Sequence, residues 1–250
     1  MQDFELFSTS IQIPGEASAA VNADDPRTFV VFGVPRGGTT MVARIVEQLG
    51  VPMGQDLPAN YEDQAFNFDC MPDEFKADRS KMRASLIDAV NERNQANSVW
   101  GWKYPRANVY LNQIIEHIRR PHLICVLRDP LASSLRPLGR KTARGKSAKR
   151  TSPIKLMEQH LAWQNRNLEI IRKSKCPSLV CSYEKAIVSP EQFVKEMADF
   201  IGLDSSDERI SRAVDQIKPG SYIQAWGLSS KSYPCQISFI DWPKRLSMNL

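Results

Sequence analysis

The segment Gly33–Thr40, Gly-Val-Pro-Arg-Gly-Gly-Thr-Thr, constrains this chain more than any other. Gly33, Gly38 and Thr40 occupy the fixed positions of the phosphate-binding frame Gly-x-x-x-x-Gly-Lys-[Ser/Thr], but Thr39 stands where that frame has lysine. A positive charge sits three residues earlier, at Arg36. The run Thr28–Val34 before the loop is apolar and β-branched, and Thr39–Leu49 carries a helical pattern closed by Gly50. Strand, glycine turn and helix N-terminus together form an anion site, because backbone N–H groups converge there and the helix dipole adds positive potential. Without the lysine that neutralises a β/γ-phosphate pair, the loop predicts a phosphate-like ligand and argues against ordinary ATP or GTP chemistry.

Apolar runs at 98–103, 122–127 and 178–182 follow, separated by helical patterns at 72–95, 107–119 and 153–172 and succeeded by two more at 190–202 and 204–217. The run His122–Leu127 is almost continuously apolar, as in a strand buried on both faces. In the helix over 153–172, Ile154, Met157, Leu161, Leu168 and Ile171 are expected to face inward. Strands alternating with helices predict an α/β fold, a three-layer sandwich around a central parallel sheet. At 250 residues and 28.3 kDa, the chain suits one domain over 27–250. A polar surface extension over 1–26 precedes it, 136–152 reads as a basic mobile loop, and 218–250 as a C-terminal tail able to cap the site.

In such a sheet, ligands bind at the carboxyl ends of the strands. That rule selects Arg36, Lys103, Arg128 and Tyr183-Glu184, and three cations at one edge call for an anion between them. The net charge of +5 and pI near 9.0 agree in favouring anionic ligands. Much of that charge lies in Arg136–Arg150, read as a solvated loop, with a basic lip toward an anionic substrate or membrane surface as the functional alternative. No aromatic residues interleave with it, so nucleic acid is not an expected partner. The five cysteines form no Cys-x-x-Cys pair, which fits a reducing compartment without disulfides or a zinc site. No secretory signal and no run of roughly 18 apolar residues is present, so a cytoplasmic protein is expected, with peripheral membrane contact left open. Of the three histidines, His117 and His160 lie in helical patterns and His122 begins a strand; all three read as structural or surface residues.

Pro35-Arg36-Gly37-Gly38-Thr39-Thr40 after one strand and Leu127-Arg128-Asp129-Pro130 after another resemble the sulfotransferase family. Gly101-Trp-Lys103-Tyr-Pro-Arg106 is similar to the Trp-Lys-Asp-Pro segment of bacterial and tyrosylprotein members, and Val180-Cys-Ser-Tyr183-Glu184 to their Tyr-Glu-Asp segment. The resemblance implies a P-loop-like fold and 3′-phosphoadenosine-5′-phosphosulfate (PAPS) as co-substrate, released as adenosine 3′,5′-bisphosphate (PAP), with no metal required. It implies that the 35–40 loop cradles the 5′-phosphosulfate, that Arg128 and a helical serine hold the 3′-phosphate, and that Tyr183 contacts the adenine. The serine usually lies eight residues after the arginine, where this chain has Arg136; Ser133, Ser134 and Arg136 all remain candidates. Tyr104 replaces the usual aspartate after Lys103.

Sulfuryl transfer is an in-line displacement that leaves the protein to position groups and stabilise leaving-group charge. Arg36 is the candidate for the leaving oxygen, Lys103 for the sulfonate or bridging oxygen. Glu62 lies where relatives often place a catalytic carboxylate, Asp63 is the alternative base, and an ordinary solvated acid is the competing reading of Glu62. The expected acceptor is a hydroxyl of a glycan, lipid or small metabolite; oligomeric state is left open. The competing functions are a kinase with a degenerate phosphate loop, using Asp129 on a metal, and a non-catalytic nucleotide-binding relative.

Overall fold

The computed structural model describes residues 8–15, 25–55, 57–134, 152–203 and 206–218. In chain order its elements are β1 (Ser10–Ile13), β2 (Arg27–Gly33), α1 (Thr39–Gln48), α2 (Asp73–Ala77), α3 (Arg79–Ala96), β3 (Val99–Lys103) and α4 (Leu111–Ile114). They continue with β4 (Pro121–Leu127), α5 (Pro130–Ser134), α6 (Pro153–Ser174), β5 (Ser178–Ser182), α7 (Tyr183–Val188), α8 (Pro190–Ile201) and α9 (Asp207–Val214).

The five strands form one sheet in the order β1-β5-β4-β2-β3. β2 pairs in parallel with both β3 and β4, and β4 in parallel with β5. Every residue of β2 is buried, which explains its unbroken apolar reading: its side chains alternate between two cores rather than between core and water. Phe29 and Val31 point into one core with Val42, Ile45 and Val46 of α1, Phe193 and Met197 of α8 and Ala213 of α9. Val30 and Phe32 point into the other, with Met82, Leu86 and Val90 of α3, Leu111 of α4 and Ile170 of α6. This is the three-layer α/β sandwich expected, and it sets the carboxyl ends of β2, β3, β4 and β5 along one edge.

Three features differ from the sequence reading. Ser10–Ile13, inside the polar N-terminal segment, adds an antiparallel edge strand to β5. It is latched by Glu196 of α8, whose carboxylate accepts from the Thr9 amide and hydroxyl and from the Ser10 hydroxyl. The single helix expected over 72–95 breaks at Asp78, whose side chain caps α3 through the Ser80 and Lys81 amides. The helix expected over 107–119 is a 3₁₀ turn, the short α4 and another 3₁₀ turn.

The inward face of α6 also differs. Ile154, Leu161 and Leu168 are 67%, 48% and 39% exposed, while His160, Asn167, Ile170 and Ile171 are buried. The reason is local: α6 packs against α5 and, through Gln164 and Asn167, on the backbone of Arg128 and Gly33, so polar residues face inward there. Among the described residues, no helix is long and apolar enough to cross a membrane. The basic 136–150 segment, Arg136 and nearly all of the 218–250 tail lie outside the described residues.

Candidate active site

Between β2 and α1 the chain turns sharply, with the Gly37 N–H bonded to the Val34 carbonyl at 2.8 Å. Arg36 and Gly38 both adopt left-handed backbone angles, φ 64° and 94°. Gly38 tolerates this freely; for Arg36 it costs roughly 1–2 kcal/mol, a strain that recurs where a loop is shaped for a ligand. No side chain caps α1 at Gly38, so the chain itself leaves the first-turn amides of that helix for an anion.

Neighbouring elements hold this loop in shape. Asn167 of α6, fully buried, donates to the Gly33 carbonyl at 2.8 Å and accepts from the Asn108 amide at 2.7 Å. Arg128, at the end of β4, donates to the Arg36 carbonyl at 2.9 Å. Its guanidinium lies 4.1 Å from the centroid of the Tyr183 ring, a cation–π contact, and its Nε is 3.7 Å from the Glu184 carboxylate. The Tyr183 ring in turn rests against Gly38: a Cβ built there would lie 2.1 Å from it. Loop, Arg128 and Tyr183 thus form one packed unit, though the three come from different strand ends.

On the other side of the loop, Lys103 at the end of β3 is 1% exposed. Its Nζ lies 3.0 Å from Glu62 Oε1, and Glu62 Oε2 accepts from the Asn67 amide at 3.0 Å. Burial pushes the Lys103 ammonium below its ordinary pKa, and the Glu62 carboxylate opposes that shift. The Glu62 turn is fastened to α1 by the Thr40 hydroxyl on the Asn60 carbonyl (3.1 Å) and the Tyr61 hydroxyl on Glu47 (2.7 Å). Burial together with Glu47 raises the Tyr61 pKa to about 12, so this phenol stays a donor.

Several sequence expectations divide here. Asp63 turns the other way from Glu62: it caps the following 3₁₀ turn through Ala65 N and pairs with Arg93 at 3.1 Å in a buried bridge. Both its oxygens serve the scaffold in this geometry, one on Ala65 N and one on Arg93. The Thr40 hydroxyl donates to the Asn60 carbonyl, and Thr39 is buried. Ser133 and Ser134 donate to carbonyls of their own turn. Ser133 also lines a cleft with Arg36, whereas Arg136 is outside the described residues. Asp129 caps α5 through Ala132 N. Among the described residues, Lys103 is met by the carboxylate of Glu62 and Arg128 by that of Glu184. Tyr104 donates to Asp69, which also holds Arg106.

Sequence reasoning missed Asn60, Asn167 and Gln164. The signal for Asn167 was present as a polar residue one turn from Ile170 and Ile171, on the face that packs inward.

In overall fold the chain is similar to the sulfotransferase domain of the Synechococcus PCC 7002 olefin synthase, at 17% identity and TM-score 0.49 over 88% of this chain and 93% of that one. It is similar to sulfotransferase STF9 from Mycobacterium avium at 13% identity and TM-score 0.49, covering 86% and 78%. It is also similar to mouse SULT7A1, crystallised with PAP, at 13% identity and TM-score 0.44, where it spans 64% of that protein. No curated protein sequence matches the chain. The family model described as the sulfotransferase family matches residues 26–207, from the start of β2 to the start of α9, and the chain belongs to that family.

Proposed function

We propose that this protein transfers a sulfonate group from PAPS to a hydroxyl of a small-molecule, lipid or glycan acceptor, with PAP as the released product. The loop fits such a donor: the α1 N-terminus has no side-chain cap, and the left-handed Gly38 before it lets the Tyr183 ring close against the loop. Bound in that cradle, PAPS supplies the sulfonate and the bisphosphate leaving group.

The observation that carries the reading is the Lys103–Glu62 pair. It joins two residues 41 positions apart, each a candidate for the chemistry, beside the first turn of α1. Glu62 is the general base: its carboxylate accepts the acceptor's hydroxyl proton as attack proceeds. Lys103 orients that carboxylate, and Asn67 fixes its second oxygen. Arg36 stabilises charge on the departing oxygen, and the amides of Gly38, Thr39 and Thr40 bind the 5′-phosphate. Pro35 and Gly37 shape the turn. Arg128 and Ser133 hold the 3′-phosphate, and Tyr183 borders the adenine.

The test is transfer of labelled sulfonate from PAPS to a panel of hydroxyl acceptors, with calorimetry of PAP and of ATP, each with and without EDTA. Metal-independent binding of PAP and label transfer are expected. ATP binding that requires Mg²⁺ and excludes PAP would sink the proposal.

A further inference from the structure

Three polar side chains stand in successive turns on the inward face of α6. Asn167 donates to the Gly33 carbonyl at 2.8 Å, and Gln164 accepts from the Arg128 N–H at 3.4 Å. Each serves the backbone of one anion motif. His160, one turn nearer the helix start, is 5% exposed, yet its Nδ1 is buried without a hydrogen-bond partner. Such an unsatisfied buried nitrogen destabilises a fold and calls for a specific cause.

The His160 ring lines a cleft of about 70 Å³ beside the anion loop, together with Arg36, Ser133, Gln159 and Trp163. The Trp163 ring lies 5.5 Å from it. Among the described residues, Arg36 from the loop shares the cleft, and Arg128 from the end of β4, itself 3.7 Å from Glu184, acts electrostatically on the imidazole. Ser133 faces it from α5 and Gln159 from its own helix, and among the described residues no carboxylate lines the cleft. Burial and Arg128 both hold His160 below its ordinary pKa, so the ring is neutral near pH 7. A cationic ligand is repelled here, and an uncharged one gives the ring no reason to change state. A phosphoester dianion reverses the local field and accepts a hydrogen bond from a proton-bearing nitrogen.

We infer that His160 is a binding residue for the 3′-phosphate of the nucleotide, taking up a proton as that group enters and donating it in a charge-assisted hydrogen bond. This rests on the PAPS reading above, and Ser133 selects the 3′-phosphate because it shares the cleft. The consequence is a proton-linked preference for nucleotides with a 3′-phosphate over those without one.

The chain has three histidines, so ¹³C-histidine NMR on the whole protein resolves them, with His160 assigned from His160→Gln. Should that variant not fold, variants of His117 and His122 assign it by elimination. PAP is expected to raise the His160 titration midpoint by about one unit or more, equivalent to tenfold in affinity. Adenosine 5′-phosphate, which lacks the 3′ group, is expected to leave it in place. In calorimetry the wild type should bind PAP more tightly than His160→Gln at pH near 6, by a factor that grows toward about tenfold as pH falls below the free His160 midpoint and vanishes near pH 9. The ligand's own phosphate ionisation, around pH 6, cancels in that ratio. An unmoved midpoint with PAP bound, or an equal shift with adenosine 5′-phosphate, overturns the role of His160 while leaving the PAPS reading standing. Absence of PAP binding overturns both.

Discussion

Arg128 donates to the carbonyl oxygen of Arg36 at 2.9 Å, so the second anion motif holds the backbone of the first. A guanidinium suits this better than an ammonium, because it serves the carbonyl and the Tyr183 face from one planar group. Arg128→Lys keeps the charge and loses that geometry. PAP affinity is expected to fall by about tenfold or more, roughly one charge-assisted hydrogen bond. Calorimetry measures it; wild-type affinity in the lysine variant would show that charge alone matters.

Adjacent carboxylates in the turn after α1 should separate cleanly. Glu62→Gln is expected to lower kcat by about 10²–10⁴ while PAP affinity stays near wild type. Asp63→Asn weakens the buried Arg93 bridge and is expected to cost up to about 3 kcal/mol of stability, with little change in turnover per folded molecule. Urea denaturation and steady-state rates on both variants distinguish base from scaffold. Equal turnover by Glu62→Gln would dismiss Glu62 as the base.

Gly38→Ala meets two penalties, a left-handed φ of 94° and a Cβ 2.1 Å from the Tyr183 ring. A stability loss of about 2–4 kcal/mol is expected, with loss of nucleotide binding. Adding Tyr183→Ala removes the clash and leaves the strain, so the double variant should recover part of the loss attributed to Gly38→Ala. Thermal melts of the three variants test this, and strict additivity would show that the ring is not the obstacle.

The edge strand β1 should loosen in acid. Although burial pushes Glu196 up, hydrogen bonds from Ser10, Thr9 and Gln192 outweigh it and hold the carboxyl below its ordinary value of 4.5. A depressed folded pKa means the latch contributes fully above the unfolded value and is lost as pH falls through the folded one. Tm measured across the acid range should therefore drop more steeply for wild type than for Glu196→Gln below about pH 4.5. Parallel profiles would exclude the carboxylate as the latch.

Strand positions were legible because β2, β4 and β5 are buried on both faces, and burial on both faces leaves a continuous apolar run in sequence. The inward face of α6 was not. Periodicity counts apolar residues, and here His160 and Asn167 turn inward while Leu161 and Leu168 meet solvent. A polar loop backbone needs polar partners, and a pattern that equates inward with apolar overlooks them. Glu62 and Asp63 are chemically equivalent as neighbours in a chain. Tyr61, left-handed at φ 60° and held by Glu47, lies just before the point where the two side chains part company.

The sequence by itself determined the anion loop and the order of its cations along the strand ends. Such a loop is a local device: a strand, a glycine that accepts a left-handed turn and a helix start suffice to aim backbone N–H groups at one point. Only the tertiary structure decided which side chains complete it. The pairing of Lys103 with Glu62, of Arg128 with the Arg36 carbonyl and of Asn167 with Gly33 joins residues 41, 92 and 134 positions apart. Contacts across such distances are set by sheet order and helix packing, and no local spacing encodes them.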